Sequence, residues 1–336
     1  MRTRPRAIGC QKNLRRGLQE HGAVSANRGR VRAGPAGLVS ALALDALGCE
    51  VALVAPAYDA ARAARGYPHD SPPVIERHAP GKPGGLEAVP ACGGSLASIR
   101  IIDDRGDLLR APEVLFRASE LGLANFGANI TNPALIAALN AAAQAAPRLR
   151  HLATSGVVRV TPTDTTVRLD LAEGGSFEAA LVVAADGRGS LARGGGGHRE
   201  QHLAVSAVGC RRSLPAFSRP QQRQHRIASA RGSSHHGALP GNMSSLVWVD
   251  EPSEAQRLGS LPDQVFAEAL EERLQGLLGC ISCSSARVVF PLSGLKADCM
   301  GRERIALVGE AAHVIPPIGR RASTWVCAMP ACWPSA

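Results

Sequence analysis

Leu181-Val-Val-Ala-Ala-Asp-Gly-Arg-Gly-Ser190 is the stretch on which the fold turns. A short, wholly apolar run with β-branched residues, closed by a turn, reads as a strand buried on both faces, and such strands belong to parallel sheets covered by helices. The run ends in Asp186-Gly187, so it delivers a carboxylate to the carboxyl end of its strand, the edge at which open α/β sheets bind ligands. The plainer alternative is a strand that closes in an Asp-Gly turn. The same grammar recurs in Arg304-Ile-Ala-Leu-Val308, which runs into Gly309-Glu310-Ala311-Ala312-His313-Val-Ile-Pro316-Pro317-Ile-Gly319. Gly309 permits close backbone approach, and Glu310 can accept hydrogen bonds from ligand hydroxyls. Ala311-Ala312 are expected to begin a helix whose N-terminus favours an electron-rich group. His313 reads as a capping or packing residue of that helix rather than as an acid or base.

Working outward, Gly34-Pro35-Ala36-Gly37 opens a run of good helix formers from Leu38 to Leu47, with Gly48 as the C-cap and Val51–Val54 as the next buried strand. Turn, helix, glycine and strand make most of a βαβ unit. A Gly-rich turn between strand and helix lets backbone N–H groups approach a pyrophosphate. Here Arg32 stands where the first glycine of that fingerprint belongs, the strand ahead of it would have to end in Gly29-Arg-Val-Arg32, and Ala55 holds the place of the ribose-binding acid, with Asp59 a distant substitute. Further along, Ser98–Asp103 and Gly106–Arg110 predict a hairpin around Asp104–Gly106. Asn132 as N-cap and Pro133 at the first helical position predict a helix to Ala143. Ser155–Val160, Thr165–Leu171 and Ser176–Ala179 alternate like strands of a meander.

The 336 residues suggest about two domains. The net charge of +10 would suit an anionic partner, but the basic residues are scattered and only three of the 38, Lys12, Lys82 and Lys296, are lysine. With abundant Ala, Gly and Pro, that composition reflects GC-rich codons, so no nucleic-acid partner is expected. Nine cysteines without framework spacing, and no secretory leader, point to a reducing cytoplasm. The pair Cys280 and Cys283 lacks a second ligand pair, so no metal is expected. No apolar run is long enough to cross a membrane. Residues 1–30, 58–95, 194–237 and 320–336 show no periodicity; translation out of frame or disordered insertion would each account for them.

Gly34-Pro-Ala-Gly37, Ala185-Asp-Gly-Arg-Gly-Ser-Leu-Ala-Arg193 and Arg304–Gly319 resemble, in order and spacing, the three FAD motifs of the class A flavoprotein aromatic hydroxylases. Ala118–Asn132 and Phe290-Pro-Leu-Ser-Gly-Leu295 are similar to the ubiquinone-biosynthesis branch of that family. The resemblance covers about two thirds of the chain. It implies an α/β fold: a Rossmann-like FAD-binding domain (31–193 and 286–319, with β elements at 96–115), an inserted β-sheet substrate domain (194–285), and irregular ends at 1–30 and 320–336, the C-terminus truncated. It implies that Gly34 and Gly37 face the FAD pyrophosphate, that Asp186 and Gly187 serve FAD and the pyridine nucleotide, that Glu310 contacts the ribityl chain, that Pro316, Pro317 and Gly319 lie against the isoalloxazine, and that Pro35, Ala36, Gly309 and Ala311 also belong to the cofactor site. No catalytic side chain is singled out. The implied reaction is hydroxylation of a polyprenylated phenol with NAD(P)H and O2, in the cytoplasm, with a peripheral membrane contact or related ubiquinone-biosynthesis proteins as partners. Arg32, Ala55 and the segment Arg320–Thr324 depart from the family pattern. They leave open an inactive fragment with impaired FAD binding, or a flavin-linked reductase without oxygenation.

Overall fold

The computed structural model describes residues 22–25, 34–59, 74–76, 93–104, 112–215, 223–229, 233–239, 243–277, 281 and 287–315. Its first layer is a six-stranded sheet. Outward from one edge run the two-residue strand Gly301–Arg302, then Ile305–Leu307, Leu181–Ala184, Gly22–Ser25, Val51–Ala55 and Leu149–Ala153. All neighbours are parallel except the hairpin between the first two. In chain order, β1 is Gly22–Ser25, α1 Pro35–Ala46, β2 Val51–Ala55, α2 Asn132–Ala145, β3 Leu149–Ala153, β4 Leu181–Ala184, α3 Leu191–Gly195 and β5 Ile305–Leu307.

The helices form where the apolar spacing demands cover for this sheet. Pro35 sits in the first turn of α1, where a missing N–H costs nothing, and Gly48, at φ +84°, turns the chain back after Leu47. Leu38, Val39 and Leu42 of α1 are buried with Leu135 and Leu139 of α2, over Val51 and Leu53. Each such side chain contributes roughly 1.5–3 kcal/mol on burial. Asp45 of α1 accepts the Arg148 N–H (2.8 Å), fixing the entry to β3.

A second sheet is the antiparallel meander Val157–Pro162, Val167–Leu171 and Ser176–Ala179, whose Val157, Val160, Val167 and Leu169 face the core shared with β4 and β5. The third sheet has eight strands, in the order His313–Val314, Val288–Ala297, Glu200–Pro215, Met243–Asp250, Ser233–Ala238, Arg223–Ser229, Ser98–Asp104 and Val114–Arg117. Helices Pro252–Ser260 and Asp263–Arg273 supply Leu258, Phe266 and Leu270 to a core with Trp248, Leu246, Ile227 and Ile102. No helix among the described residues is long and apolar enough to cross a membrane.

Several expectations change. The predicted hairpin has its second strand at Val114–Arg117, with Ile101 opposite Val114, and residues 105–111 lie outside the described set. That hairpin, and the strand Val288–Ala297, are hydrogen-bonded into the eight-stranded sheet rather than the Rossmann-like one. The aperiodic stretch 194–237 contains three strands, Glu200–Pro215, Arg223–Ser229 and the start of Ser233–Ala238, and the stretches 1–30 and 58–95 contain Gly22–Ser25 and Val74–Glu76. A strand ahead of Gly34 lies at Gly22–Ser25, and the expected strand end at Gly29–Arg32 falls outside the described residues. After Glu310 there is a single 3-10 turn, Gly309–Ala311, and then a strand, not a helix: His313 and Val314 pair with Lys296 and Leu295.

Candidate functional site

β4 and β5 are adjacent and in register, Ala184 opposite Leu307, so their carboxyl ends deliver the segments 185–190 and 308–312 side by side. The Val308 N–H donates to the Ala184 carbonyl (2.9 Å) and carries the pairing one step past β5. Both segments then turn at glycines in the left-handed region, Gly187 at φ +78° and Gly309 at φ +60°, conformations that an L side chain adopts only at a cost.

Asp186 is 2% exposed. Its Oδ2 accepts the Ala192 N–H at the start of α3 (3.0 Å), a charge-assisted bond to a helix N-terminus. Its Oδ1 is buried and has no hydrogen-bond partner among the described residues. A buried carboxylate oxygen left unsatisfied costs more than a bond contributes, so this atom calls for a donor, as a ligand hydroxyl would be.

Glu310 is half-exposed and lies against the Asp186 segment. Arg188 donates to it twice, Nε to Oε2 (3.2 Å) and Nη2 to Oε1 (3.3 Å), and its third nitrogen, Nη1, donates to Ser293 Oγ (3.3 Å). The fork therefore ties together the two strand-end segments and the strand Val288–Ala297. Beneath it, Arg193 is 5% exposed and donates to the carbonyls of Ala311 (2.9 Å) and Arg188 (2.6 Å) while pairing with Glu200 (2.5 Å). The hydrogen bond with His202, and then the Arg193 guanidinium, hold Glu200 below the usual carboxylate range. Ser190 caps α3 by accepting the Arg193 N–H (2.9 Å). His313 is lowered by its burial, opposed by the nearby Glu310 charge, and so favours the neutral ring.

The structure brings Asp186, Gly187, Gly309, Glu310 and Ala311 into one site, whereas Pro316, Pro317 and Gly319 lie outside the described residues. Gly34 caps α1 with an extended backbone (φ −73°, ψ 165°), and a Cβ there would meet nothing within 4 Å, so open space rather than conformation is what this position offers. Ala55 ends β2 with no carboxylate; its carbonyl is taken by His151 (3.0 Å) and by the Thr154 N–H (3.2 Å). Sequence reasoning missed Arg188, Ser293 and Glu200. Arg188 stands inside the quoted motif, but its partners Glu310 and Ser293 lie 122 and 105 positions away, so only the fold reveals them; Glu200 pairs with the nearby Arg193 and His202, in a stretch without readable periodicity.

No protein-family model matches the chain. It is 31% identical over 157 residues to the ubiquinone hydroxylase UbiL of Rhodospirillum rubrum, covering 45% of this chain and 35% of that protein. It is 29% identical over 211 residues to the 3-demethoxyubiquinol 3-hydroxylase of Escherichia coli, covering 61% and 52%. The matched stretch thus spans about half, or less, of the length of these relatives. Among solved structures, PqsL of Pseudomonas aeruginosa, described as a probable FAD-dependent monooxygenase, superposes with a TM-score of 0.71 at 16% identity, covering 93% of this chain and 84% of that one. The fold is that of the flavin monooxygenases, and the sequence likeness runs to proteins named as a ubiquinone hydroxylase and a 3-demethoxyubiquinol 3-hydroxylase.

Proposed function

We propose that this chain is a FAD-dependent monooxygenase that hydroxylates a polyprenylated phenol in ubiquinone biosynthesis, using NAD(P)H and O2. The observation that carries the reading is the unpartnered, buried Oδ1 of Asp186, set beside Glu310 at the ends of two adjacent parallel strands. That donor set suits a polyhydroxylated nucleotide. Asp186 would accept from a hydroxyl and Gly187 would let the backbone approach. Glu310, Gly309 and Ala311 would meet the ribityl chain, and Gly34, Pro35, Ala36 and Gly37 would lie at the pyrophosphate, with Pro316, Pro317 and Gly319 along the ring. FAD, when bound, supplies the electron transfer and oxygen activation, for which protein side chains have no equivalent. The chain's own work is to orient the cofactor from the β4 and β5 ends and to hold His313 as a neutral ring next to Glu310.

A polyprenylated substrate would be met at a membrane surface. The exposed apolar side chains of Ile101, Val114 and Phe116 on the outer hairpin of the eight-stranded sheet, with Leu121 and Leu123 after it, would be the contact. Co-sedimentation with vesicles tests this.

A second reading, an inactive chain with impaired FAD binding, is favoured by the double engagement of Glu310 with Arg188. One experiment separates these two and a flavin-linked reductase without oxygenation. The purified chain, given FAD, is assayed for NAD(P)H consumption with and without a prenylated phenol, and the product is analysed by mass spectrometry. The proposed function predicts a mass gain of one oxygen in the phenol. Flavin binding without that gain indicates the reductase, and failure to take up flavin indicates the inactive chain.

A further inference from the structure

Away from the strand-end site, where the chain leaves α3 and where it leaves the strand Val288–Ala297, three side chains of metal-binding type converge. The ligand atoms of His198, Asp298 and Cys299 all lie within 4.8 Å of one another. We propose that they form a site for a zinc-class divalent cation, with water as the fourth ligand.

The geometry carries this. Bonds of about 2.3 Å to sulfur and 2.0–2.1 Å to nitrogen, arranged tetrahedrally, put the two ligand atoms about 3.5 Å apart. Cys299 Sγ and His198 Nδ1 are 3.5 Å apart. The donor set of thiolate, imidazole and carboxylate selects zinc over hard cations, which take oxygen ligands. The ligands are also held. His198 is 7% exposed. Asp298 accepts the N–H of Arg199 (3.1 Å) and of Cys299 (2.8 Å) and pairs with Arg302 (3.2 Å), the outer hydrogen bonding that orients a ligating carboxylate. The Asp298 N–H in turn donates to the Arg199 carbonyl (2.9 Å), locking the two segments together. Asp298 and Cys299 retain solvent exposure, which leaves room for the water.

On binding, the Cys299 thiol proton leaves to solvent. The His198 Nδ1 proton, which now donates to the Cys299 carbonyl (3.0 Å), is given up to solvent as Nε2 takes one from it, so one proton is released net. The charges of thiolate, carboxylate and Arg302 sum to one negative unit facing the cation. Bound there, the ion would clamp the segment that precedes Glu200 to the segment that enters the hairpin of Gly301–Arg302 with β5, ahead of Glu310. Sequence spacing does not show such a site, because His198 and Cys299 are 101 positions apart.

The test uses the whole chain, stripped with chelator and titrated with Co2+ as a probe. Expected is a thiolate-to-cobalt charge-transfer band that saturates near one equivalent and is displaced by Zn2+. It is lost in Cys299→Ser, weakened at least tenfold in Asp298→Asn, and retained when Cys280 and Cys283 are both replaced by Ser. The unsubstituted chain gives a second readout, protection of Cys299 from alkylation by added Zn2+, mapped by mass spectrometry. Absence of the band, its survival in a folded Cys299→Ser variant, or full alkylation of Cys299 in saturating Zn2+ would each overturn the site.

Discussion

Replacing Asp186 separates what this carboxylate does for the fold from what it does for a ligand. Its two oxygens have different duties: Oδ2 accepts the buried Ala192 N–H at 3.0 Å, and Oδ1 has no partner among the described residues. Asp186→Asn keeps an acceptor for Ala192 but puts an NH2 group where a cofactor hydroxyl should donate. The folded chain should lose little stability, while flavin affinity falls by the worth of one charge-assisted hydrogen bond, roughly 1.5–3 kcal/mol, or about ten- to a hundredfold. Asp186→Ala adds a buried, unsatisfied Ala192 N–H and should also destabilise the fold by about 1–3 kcal/mol. Flavin affinity is read by the quenching of free FAD fluorescence, and stability by thermal or urea unfolding monitored by circular dichroism. Unchanged affinity in Asp186→Asn refutes the reasoning, as does an equal loss of stability in the two variants.

Four further predictions follow from the same geometry. Arg188→Gln frees both oxygens of Glu310 and should tighten FAD binding several-fold, with added salt tightening the unsubstituted chain in the same direction; weaker binding would show instead that Arg188 itself holds the cofactor. Glu303 and Arg304 both turn with positive φ (48° and 58°) in the two-residue link between Gly301–Arg302 and β5, so Glu303→Gly should raise stability by about 1 kcal/mol in a urea titration. Leu135→Ala, in the fully buried seam between α1 and α2, should cost about 2–5 kcal/mol on the same scale. Burial lowers the folded pKa of His313 below its ordinary 6.5, so its contribution to stability is complete above that value and is lost as pH falls below it; His313→Gln should flatten the pH dependence of stability there.

How far the sequence reached depends on where the determining interactions lie. The meander, α1, α2, β4 and β5 were legible because their apolar periods and punctuation are local: Pro35 and Pro133 start helices, Gly48 ends one, and unbroken apolar runs mark strands buried between helices. Glu200–Pro215, Arg223–Ser229 and Ser233–Ala238 were not. Their Arg, His, Ser and Gly residues show no two-residue alternation, and their strand state is fixed by partners such as Met243–Asp250 and Ser98–Asp104. Gly22–Ser25 is a strand because a parallel slot between β2 and β4 demands one, not because Gly-Ala-Val-Ser favours it. The helix expected after Glu310 fails for a related reason: three residues on, His313 and Val314 meet an open partner in Leu295–Lys296, and strand pairing wins over continuing the turn. At the site, both carboxylates could be read from the ends of their strands. Arg188, which engages Glu310, had no local signal of its role.

A crystal structure of the chain with FAD asks the central question directly. Expected is one flavin nucleotide at the carboxyl ends of β4 and β5, with an FAD hydroxyl within hydrogen-bond reach of Asp186 Oδ1 and the Arg188–Glu310 fork opened. A flavin seated elsewhere, or an Asp186 that stays buried without a donor while FAD is bound, would contradict this assignment.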